Sequence, residues 1–380
     1  MRMRLRTVAV CLLAGACGGE PEADGGEEAM ADPYGRASAA VGGIAWSPGL
    51  ERVVAGLLVS QPPGDEAARA VIGTNREALS DLGAATREPD WRLPPPGADR
   101  PSRDDWEAAA WLAYGAARAD PDGVWTHGLT AARLGLRLGE AEGAGLADLI
   151  VAFGIGEAGY LQAQRLAAAA GGGPEDAGDA LRPMSEDAWR AALRAEAAAV
   201  EGRIAEMARD PLAGLGFAAE EVPETVRARP PAALFDEAAV QEAVAAAFVA
   251  AMDRRVADCA APLALTGLGE PDPMQPNLAG RLFVRDLTTA LGQIEARRCL
   301  TEGARRAALL SWRLHEDGLP ERLPVDPALA DPFTNEPFGY DPAARALWSA
   351  GRDRVLSDGP GQGPFDDRDP TFWLDLRPLL

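Results

Sequence analysis

The sequence predicts a mainly α-helical protein: an Ala-rich antiparallel helical bundle or short solenoid, followed by a long helix and a small antiparallel β-meander at the C-terminus. Three observations support this fold class. Apolar residues recur at helical spacing from Trp46 to about His315, and Pro and Gly interrupt the pattern. After Gly318 the pattern changes to turns and short alternating runs. Hydrophobic residues make up 47% of the 380 residues, which is enough for one large or two modest domains.

Capping signals place the first helices. Ser47 followed by Pro48 predicts a helix to about residue 60, and Ser102 with Asp105 has the spacing of a capping box ahead of a helix to residue 119. The other predicted helices share an Ala-rich apolar pattern and cover residues 65–86, 124–138, 142–170, 185–209 and 236–257. Because alanine side chains are small, we expect these helices to pack closely, with Trp and Leu filling the gaps.

The last helix has the clearest periodicity. Val284, Leu287, Leu291 and Ile294 recur at spacings of three and four, and predict a helix over 281–316 that is about 50 Å long. The β-meander that follows is predicted from three short runs, at residues 338–340, 346–348 and 371–376.

The first residues predict export. Arg2, Arg4 and Arg6 precede a short apolar run, which is about half the ~20 residues that a membrane-spanning helix needs. This pattern is typical of a signal peptide, here residues 1–16. We expect no later stretch of the chain to span a membrane.

The run from Leu12 to Cys17 resembles the lipobox of bacterial lipoproteins, in which the signal is cut before a cysteine that then carries lipid. One position departs from that family, because Leu13 lies four residues before Cys17 rather than three. Ala14-Gly15-Ala16 also matches an ordinary secretory cleavage site, so an exported protein without lipid is the alternative. The resemblance implies an extracytoplasmic bacterial protein, at the outer membrane or the periplasmic face, anchored through Cys17. Residues 17–45 then form a disordered, acidic and Gly-rich linker.

Composition excludes several kinds of chemistry. All 37 basic residues are Arg, so a P-loop lysine, a Schiff-base lysine and an S-x-x-K nucleophile are impossible. The formal net charge of −21 repels phosphate, and we therefore expect no nucleic-acid partner.

Two cysteines remain beyond Cys17. In an oxidising compartment Cys259 and Cys299 are candidates for a disulfide. Closing a loop of about 40 residues would stabilise the fold by about 3–4 kcal/mol in the chain-entropy model. Two buried free thiols are the alternative.

The C-terminal 100 residues resemble the globular region of type II secretion major pseudopilins. The likeness lies in a long helix, in the turns Asp317-Gly318-Leu319-Pro320 and Asp331-Pro332-Phe333, and in Ser349-Ala350-Gly351-Arg352-Asp353. It implies a small antiparallel sheet with a calcium-binding loop, bordered by Ser349 and Asp353. A pseudopilin begins with its helix behind an apolar anchor, whereas this module comes last, which argues against assembly into a pilus. We therefore expect a helical domain at 46–280 and a pseudopilin-like module at 281–380.

An acidic loop near the C-terminus is the candidate metal site. Glycines lie among its five aspartates, which are Asp353, Asp358, Asp366, Asp367 and Asp369. Calcium prefers six to eight oxygen ligands on a flexible loop, and carboxylates with exposed carbonyls supply them. A solvated acidic loop without an ion is the alternative. Apart from calcium, we expect no cofactor.

Other motifs favour packing over chemistry. Gly154, Gly156 and Gly159 spell G-x-G-x-x-G, but inside a predicted helix, where close helix packing explains them better than a dinucleotide site. The two histidines, His127 and His315, are too few for a His₃ zinc site. Trp106, Trp111 and Trp125 either fill the core or line a ligand groove.

No catalytic residue is predicted. The sequence favours a non-enzymatic scaffold or binding subunit of the bacterial envelope, with a protein or small ligand as its partner. One alternative is an envelope hydrolase that uses unrecognised carboxylates, and another is an accessory of a secretion or pilus-like apparatus. Converging Asp or Glu in a deep pocket would favour the hydrolase, and shallow grooves would favour binding.

Overall fold

The computed structural model describes residues 32–45, 66–95, 98–119, 124–170, 173–174, 177–215, 223–255, 258–272, 275–364, 366 and 368–375. The predicted signal, Cys17 and the predicted helix at 47–60 lie outside the described residues. The prediction that residues 17–45 form a disordered linker is wrong for 33–42, which form a helix. Asp32 caps this helix by accepting from Tyr34 N, and its apolar residues, among them Tyr34 and Val41, are buried in a core cluster.

The predicted fold class is confirmed: the protein is mainly helical, with a long C-terminal helix and a small antiparallel sheet. The helices of the N-terminal part are α1 (Pro33–Gly42), α2 (Glu66–Thr74), α3 (Arg76–Arg87), α4 (Arg103–Ala119), α5 (Val124–Gly128) and α6 (Thr130–Glu140). The helices that follow are α7 (Leu146–Ala170), α8 (Glu186–Arg209), α9 (Pro211–Gly214), α10 (Glu224–Arg227), α11 (Pro231–Leu234), α12 (Glu237–Met252) and α13 (Leu278–Asp317).

Local side-chain hydrogen bonds explain where several helices begin or break. Ser185 is the N-cap of α8, and its Oγ accepts from Ala188 N at 3.0 Å. The single helix predicted over 65–86 is divided in two at Asn75, whose side chain donates to Val71 O and accepts from Ala45 N at 2.7 Å. α7 begins at Leu146 rather than at the predicted residue 142, because Gly143 has a φ of +85°, which lies outside the range of a right-handed helix.

Glycines allow α6 and α7 to pack at very short range. A Cβ on Gly135 would lie 2.6 Å from Gly156 Cα, and a Cβ on Gly159 would lie 2.2 Å from Ala132 N. Real side chains cannot reach such distances, so the two antiparallel helices can approach this closely only where both carry glycine or alanine. The packing interpretation of the G-x-G-x-x-G string is confirmed, since it lies within helix α7.

Helix α7 is central to the fold. By length and composition its 25 residues could cross a membrane, so the expectation that no later stretch could do so is wrong on that criterion. However, 72% of its apolar window is buried inside the protein, and the core helix of a folded protein passes the same test. We therefore interpret α7 as a core helix that packs against α6 and α13.

The long helix α13 connects the hydrophobic cores. Its 40 residues span about 60 Å. Phe283 and Leu291 in its first half pack in one cluster with Trp189 of α8 and Phe248 of α12. Its second half runs beside α7 and packs against the sheet. There, Trp312 Nε1 donates to Ala163 O at 3.1 Å.

The three predicted strands are confirmed as β1 (Gly339–Asp341), β2 (Ala346–Trp348) and β3 (Thr371–Trp373), in the order β1-β2-β3. Both pairs are antiparallel, with Tyr340 opposite Leu347 and Leu347 opposite Phe372. The sheet shares a hydrophobic cluster with α7 and α13, and Gln164 Nε2 of α7 donates to Trp373 O at 3.2 Å. This cluster contains residues from both sides of the boundary that the sequence predicted at residue 280. The C-terminal module therefore packs directly onto the helical body.

Candidate functional site

Two of the five aspartates of the predicted calcium loop accept hydrogen bonds within local turns. Asp353 Oδ1 accepts from Val355 N at 3.0 Å, and Asp366 Oδ1 accepts from Arg368 N at 3.0 Å. Asp367 lies outside the described residues, and Asp358 is exposed. Across the part of the chain that the structure describes, no three His, Cys, Asp or Glu side chains converge as metal ligands. The calcium site therefore stays a prediction.

Gly361 nevertheless brings two of these aspartates to one place. A Cβ at Gly361 would lie 2.6 Å from Asp369 O and 3.3 Å from Asp366 Oδ2. Gly361 N also donates to Thr371 Oγ1 at 2.7 Å, which ties the loop to β3. Carboxylate and carbonyl oxygens are the donor types that calcium prefers, but these two oxygens are fewer than the six to eight that a calcium site takes.

Asp331 is a residue whose role the sequence did not indicate. It is fully buried and accepts from Phe333 N, Ser349 Oγ and Ala350 N at 3.0, 2.8 and 2.7 Å. Burial raises the pKa of Asp331, although these hydrogen bonds favour the charged form. Ser349, which the resemblance places beside an ion, therefore serves to hold two turns of the module together through Asp331.

Cys259 and Cys299 are joined in a buried disulfide, with their Cα atoms 5.7 Å apart. The bond ties the segment after α12 to the middle of α13 and packs against Phe333 and Ala350 of the C-terminal module. Arg354 Nε donates to Cys259 O at 3.2 Å, which adds a second link to the module.

Arg298 reinforces this junction. Its guanidinium is fully buried and donates to Arg255 O at 3.0 Å, to Asp258 O at 3.2 Å and to Glu295 Oε2 at 2.9 Å. It also lies 5.4 Å from the ring centroid of Trp189. The disulfide and Arg298 together hold the segment before α13 in a defined position.

A second buried ion cluster lies one turn further along α13. Glu302 accepts from Arg305 and Arg306, each at 2.7 Å. Burial opposes the charge of Glu302, but the hydrogen bonds and charges of these two arginines outweigh it and lower its pKa. Arg305 also donates to Leu181 O at 2.9 Å. Glu302 is thus an ionised structural group.

The cavity beside Glu302 is too small for a substrate. It measures about 20 Å³ and is lined in part by Tyr160, Thr301, Glu302 and Arg305. A volume of this size has room for about one water molecule. Two further buried glutamates, Glu157 and Glu295, form ion pairs of 2.8 and 2.7 Å with arginines of α13.

The larger concave surfaces are open grooves. One, of about 610 Å³, lies between α1 and α3 and combines Arg36, Glu77, Asp81 and Glu88 with small residues, mostly alanines. The other, which we call the charged cleft, measures about 460 Å³. Its lining residues are Pro89, Asp90, Trp91, Arg92, Arg137, Glu140, Glu142, Arg182 and Ser185.

Three separate parts of the chain form the charged cleft. Leu93 N donates to Glu142 O at 2.9 Å and Glu142 N donates to Trp91 O at 2.8 Å, which joins the segment after α3 to the segment after α6. The end of α6 contributes Arg137 and Glu140, and the residues before α8 contribute Arg182 and Ser185. Sequence reasoning missed this cleft because its residues are far apart in the chain.

The tryptophans that the sequence singled out are packing residues, which confirms the core interpretation. Trp106 and Trp111 are buried, and Trp125 stacks edge-on against Trp312 with ring centroids 5.3 Å apart. His315 lies in the last turn of α13, where burial lowers its pKa.

No protein-family model, curated protein or solved structure matches this chain. Function must therefore be inferred from the residues of the chain itself.

Proposed function

We propose that the protein is an exported lipoprotein, tethered to a bacterial envelope membrane through Cys17, that acts as a non-enzymatic scaffold or binding subunit. The observation that carries the export step is the disulfide. Cys259 and Cys299 are the two cysteines that follow Cys17, and they are joined inside the fold. Such bonds persist in oxidising compartments, in agreement with the signal-like first residues.

A scaffold role is supported by how firmly the parts are joined. The disulfide and the arginines at positions 298, 305 and 306 link α13 to its neighbours through buried contacts. Gln164 and Trp312 add links between α7, α13 and the sheet. A body held in this way presents its surfaces at fixed positions relative to each other, which suits binding.

A binding role is favoured over hydrolysis by the kind of cavity that is present. The two grooves described above are open and charged, and the buried glutamates at positions 157, 295 and 302 already form ion pairs with arginines. A secretion or pilus-like accessory is the other candidate, and it is supported by the C-terminal resemblance. Co-purification with an envelope complex would favour this alternative.

Membrane fractionation tests the tether. The full-length protein, expressed from its own start in a bacterium, is expected in the membrane fraction and is expected to be released only by detergent. The matched control is C17S, which removes the lipid acceptor and leaves the apolar run intact. We expect C17S to be absent from the detergent-extracted membrane fraction and to appear in the aqueous fraction. Equal distribution of both proteins in the aqueous fraction would refute the tether.

A further inference from the structure

We propose that the charged cleft binds a small carboxylate-bearing ligand and that Arg137 is the residue that receives the carboxylate. This inference depends on the binding-subunit role proposed above and assigns that role a site and a ligand class.

Two ion pairs within the cleft leave Arg137, and Asp90 at the rim, without an ion-pair partner among the lining residues. Arg182 donates to both carboxylate oxygens of Glu140, one of them at 2.5 Å. At the rim, Arg92 Nε lies 3.0 Å from Glu142 Oε2. Arg137 instead donates to two backbone carbonyls, Thr86 O at 3.1 Å and Arg87 O at 3.5 Å. Among the described residues no carboxylate forms an ion pair with Arg137.

The surroundings of Arg137 make an anion favourable there. Burial and the neighbouring charge of Arg182 lower the pKa of Arg137, because both disfavour a second cation at this place. Arg133 adds a further positive charge, whereas Glu140 and Asp179 act in the opposite direction. A guanidinium has five N–H donors, and those not used on backbone carbonyls remain for a ligand. A bound carboxylate would offset the cost of a half-buried cation.

The same wall of the cleft already holds a carboxylate, that of Glu140. It accepts from Ser185 N at 2.8 Å as well as from Arg182, at the N-terminus of the 24-residue helix α8. Helix N-termini and arginine forks are both suited to carboxylates. The Glu140 carboxylate is thus bound by an arginine and a backbone N–H, and we assign the same kind of contact to the carboxylate of the free ligand beside it.

The dimensions and the rim define the class further. The cleft volume of about 460 Å³ is in the range of sites for small ligands. Asp90 is exposed at the rim and Glu142 lies near it, so a dianion such as phosphate meets repulsion on entry. Asp90 suits the ammonium group of an amino acid. A monocarboxylate or an amino acid is thus favoured over phosphate.

Calorimetric titration of the mature protein tests the proposal. The probes are glutamate, the monocarboxylate butyrate, inorganic phosphate and glutamine amide, which lacks a free carboxylate. We expect binding of glutamate or butyrate, weaker binding of phosphate, and no binding of the amide. R137Q should weaken carboxylate binding by about tenfold or more, because the ligand loses its charged partner. R194Q is the matched control, since it removes the same charge from an exposed position of α8.

R137K provides a second variant that keeps the charge and the fold but loses the fork, and we expect intermediate affinity. Absence of carboxylate binding to the wild type, or equal loss in R137Q and R194Q, would overturn the site. Either result would leave membrane tethering through Cys17 untouched, because fractionation measures that property independently.

Discussion

Arg306 of α13 donates to Ala330 O at 2.8 Å and thereby joins the long helix to the loop that carries Asp331. The same guanidinium donates through Nε to Glu302 Oε1 at 2.7 Å. Asp331 in turn holds the turn at Ser349 and Ala350. A continuous series of buried polar contacts therefore runs from the middle of α13 into the C-terminal module.

Loss of the Glu302 carboxylate should destabilise the protein strongly. In E302Q, Arg305 and Arg306 would remain buried without their anion, and we expect the free energy of unfolding to fall by about 3–5 kcal/mol. Urea denaturation followed by far-UV circular dichroism measures the change. E206Q, at an exposed position of α8, is the control and should change stability little. A loss below about 1 kcal/mol in E302Q would contradict the role of this cluster.

The effect of E302Q should depend on pH. Because the folded pKa of Glu302 is lowered, its stabilisation is fully present above the ordinary glutamate pKa of about 4.3 and is lost as the pH falls through the lowered value. The difference in unfolding free energy between wild type and E302Q should therefore shrink on acidification. Denaturation curves at a series of acidic pH values measure it, and a difference that is constant down to acid unfolding would refute the assignment.

The contribution of Asp331 to stability should depend on pH in the opposite direction. Its folded pKa is raised by burial, so its contribution is fully present below the ordinary aspartate pKa of about 3.9 and declines as the pH rises through the raised value. Titration of this carboxyl by carbon-detected NMR is expected to give a pKa above the ordinary aspartate value of about 3.9. A pKa below that value would show that the three hydrogen bonds outweigh burial.

Removal of the disulfide should lower stability without changing the fold. The double variant C259A/C299A opens a 40-residue loop in the unfolded chain, for which the chain-entropy model gives about 3–4 kcal/mol. Peptide maps under non-reducing and reducing conditions establish whether the bond is present in the wild type. Two free thiols in protein purified from the envelope would remove the main support for an oxidising compartment.

Glycine-to-alanine substitutions should have opposite effects at two helical positions. G159A places a Cβ against the backbone of α6 at Ala132, and we expect a loss of about 1–3 kcal/mol from overpacking. G202A in α8 meets nothing within 4 Å and should raise stability by about 0.5–1 kcal/mol through helix propensity. Thermal melting of both variants measures this contrast. Equal effects would contradict the close approach of α6 and α7.

The acidic loop makes a further prediction. Calcium should raise the melting temperature of the wild type, because ions that bind only the folded state stabilise it, and a chelator should reverse the shift. D369N should reduce the response, whereas D187N, at an exposed position in α8, should leave it unchanged. A melting temperature that is insensitive to calcium and chelator would eliminate the predicted site.

Periodicity explains which parts of the fold the sequence could predict. The apolar stripe through Val284 and Leu291 and the stop at Gly318 define α13 to within a few residues. The break at Asn75 could not be predicted, because it depends on a hydrogen bond from the distant Ala45. The charged cleft was missed for the same reason, since Arg92, Arg137 and Arg182 meet only after the helices have packed.

Mass spectrometry of the N-terminal peptide, from protein expressed with its own start, tests the central proposal most directly. The proposed envelope tether predicts a peptide that begins at Cys17 and carries the mass of lipid chains. A peptide that retains Met1, recovered from the cytoplasmic fraction, would contradict both the export and the tether.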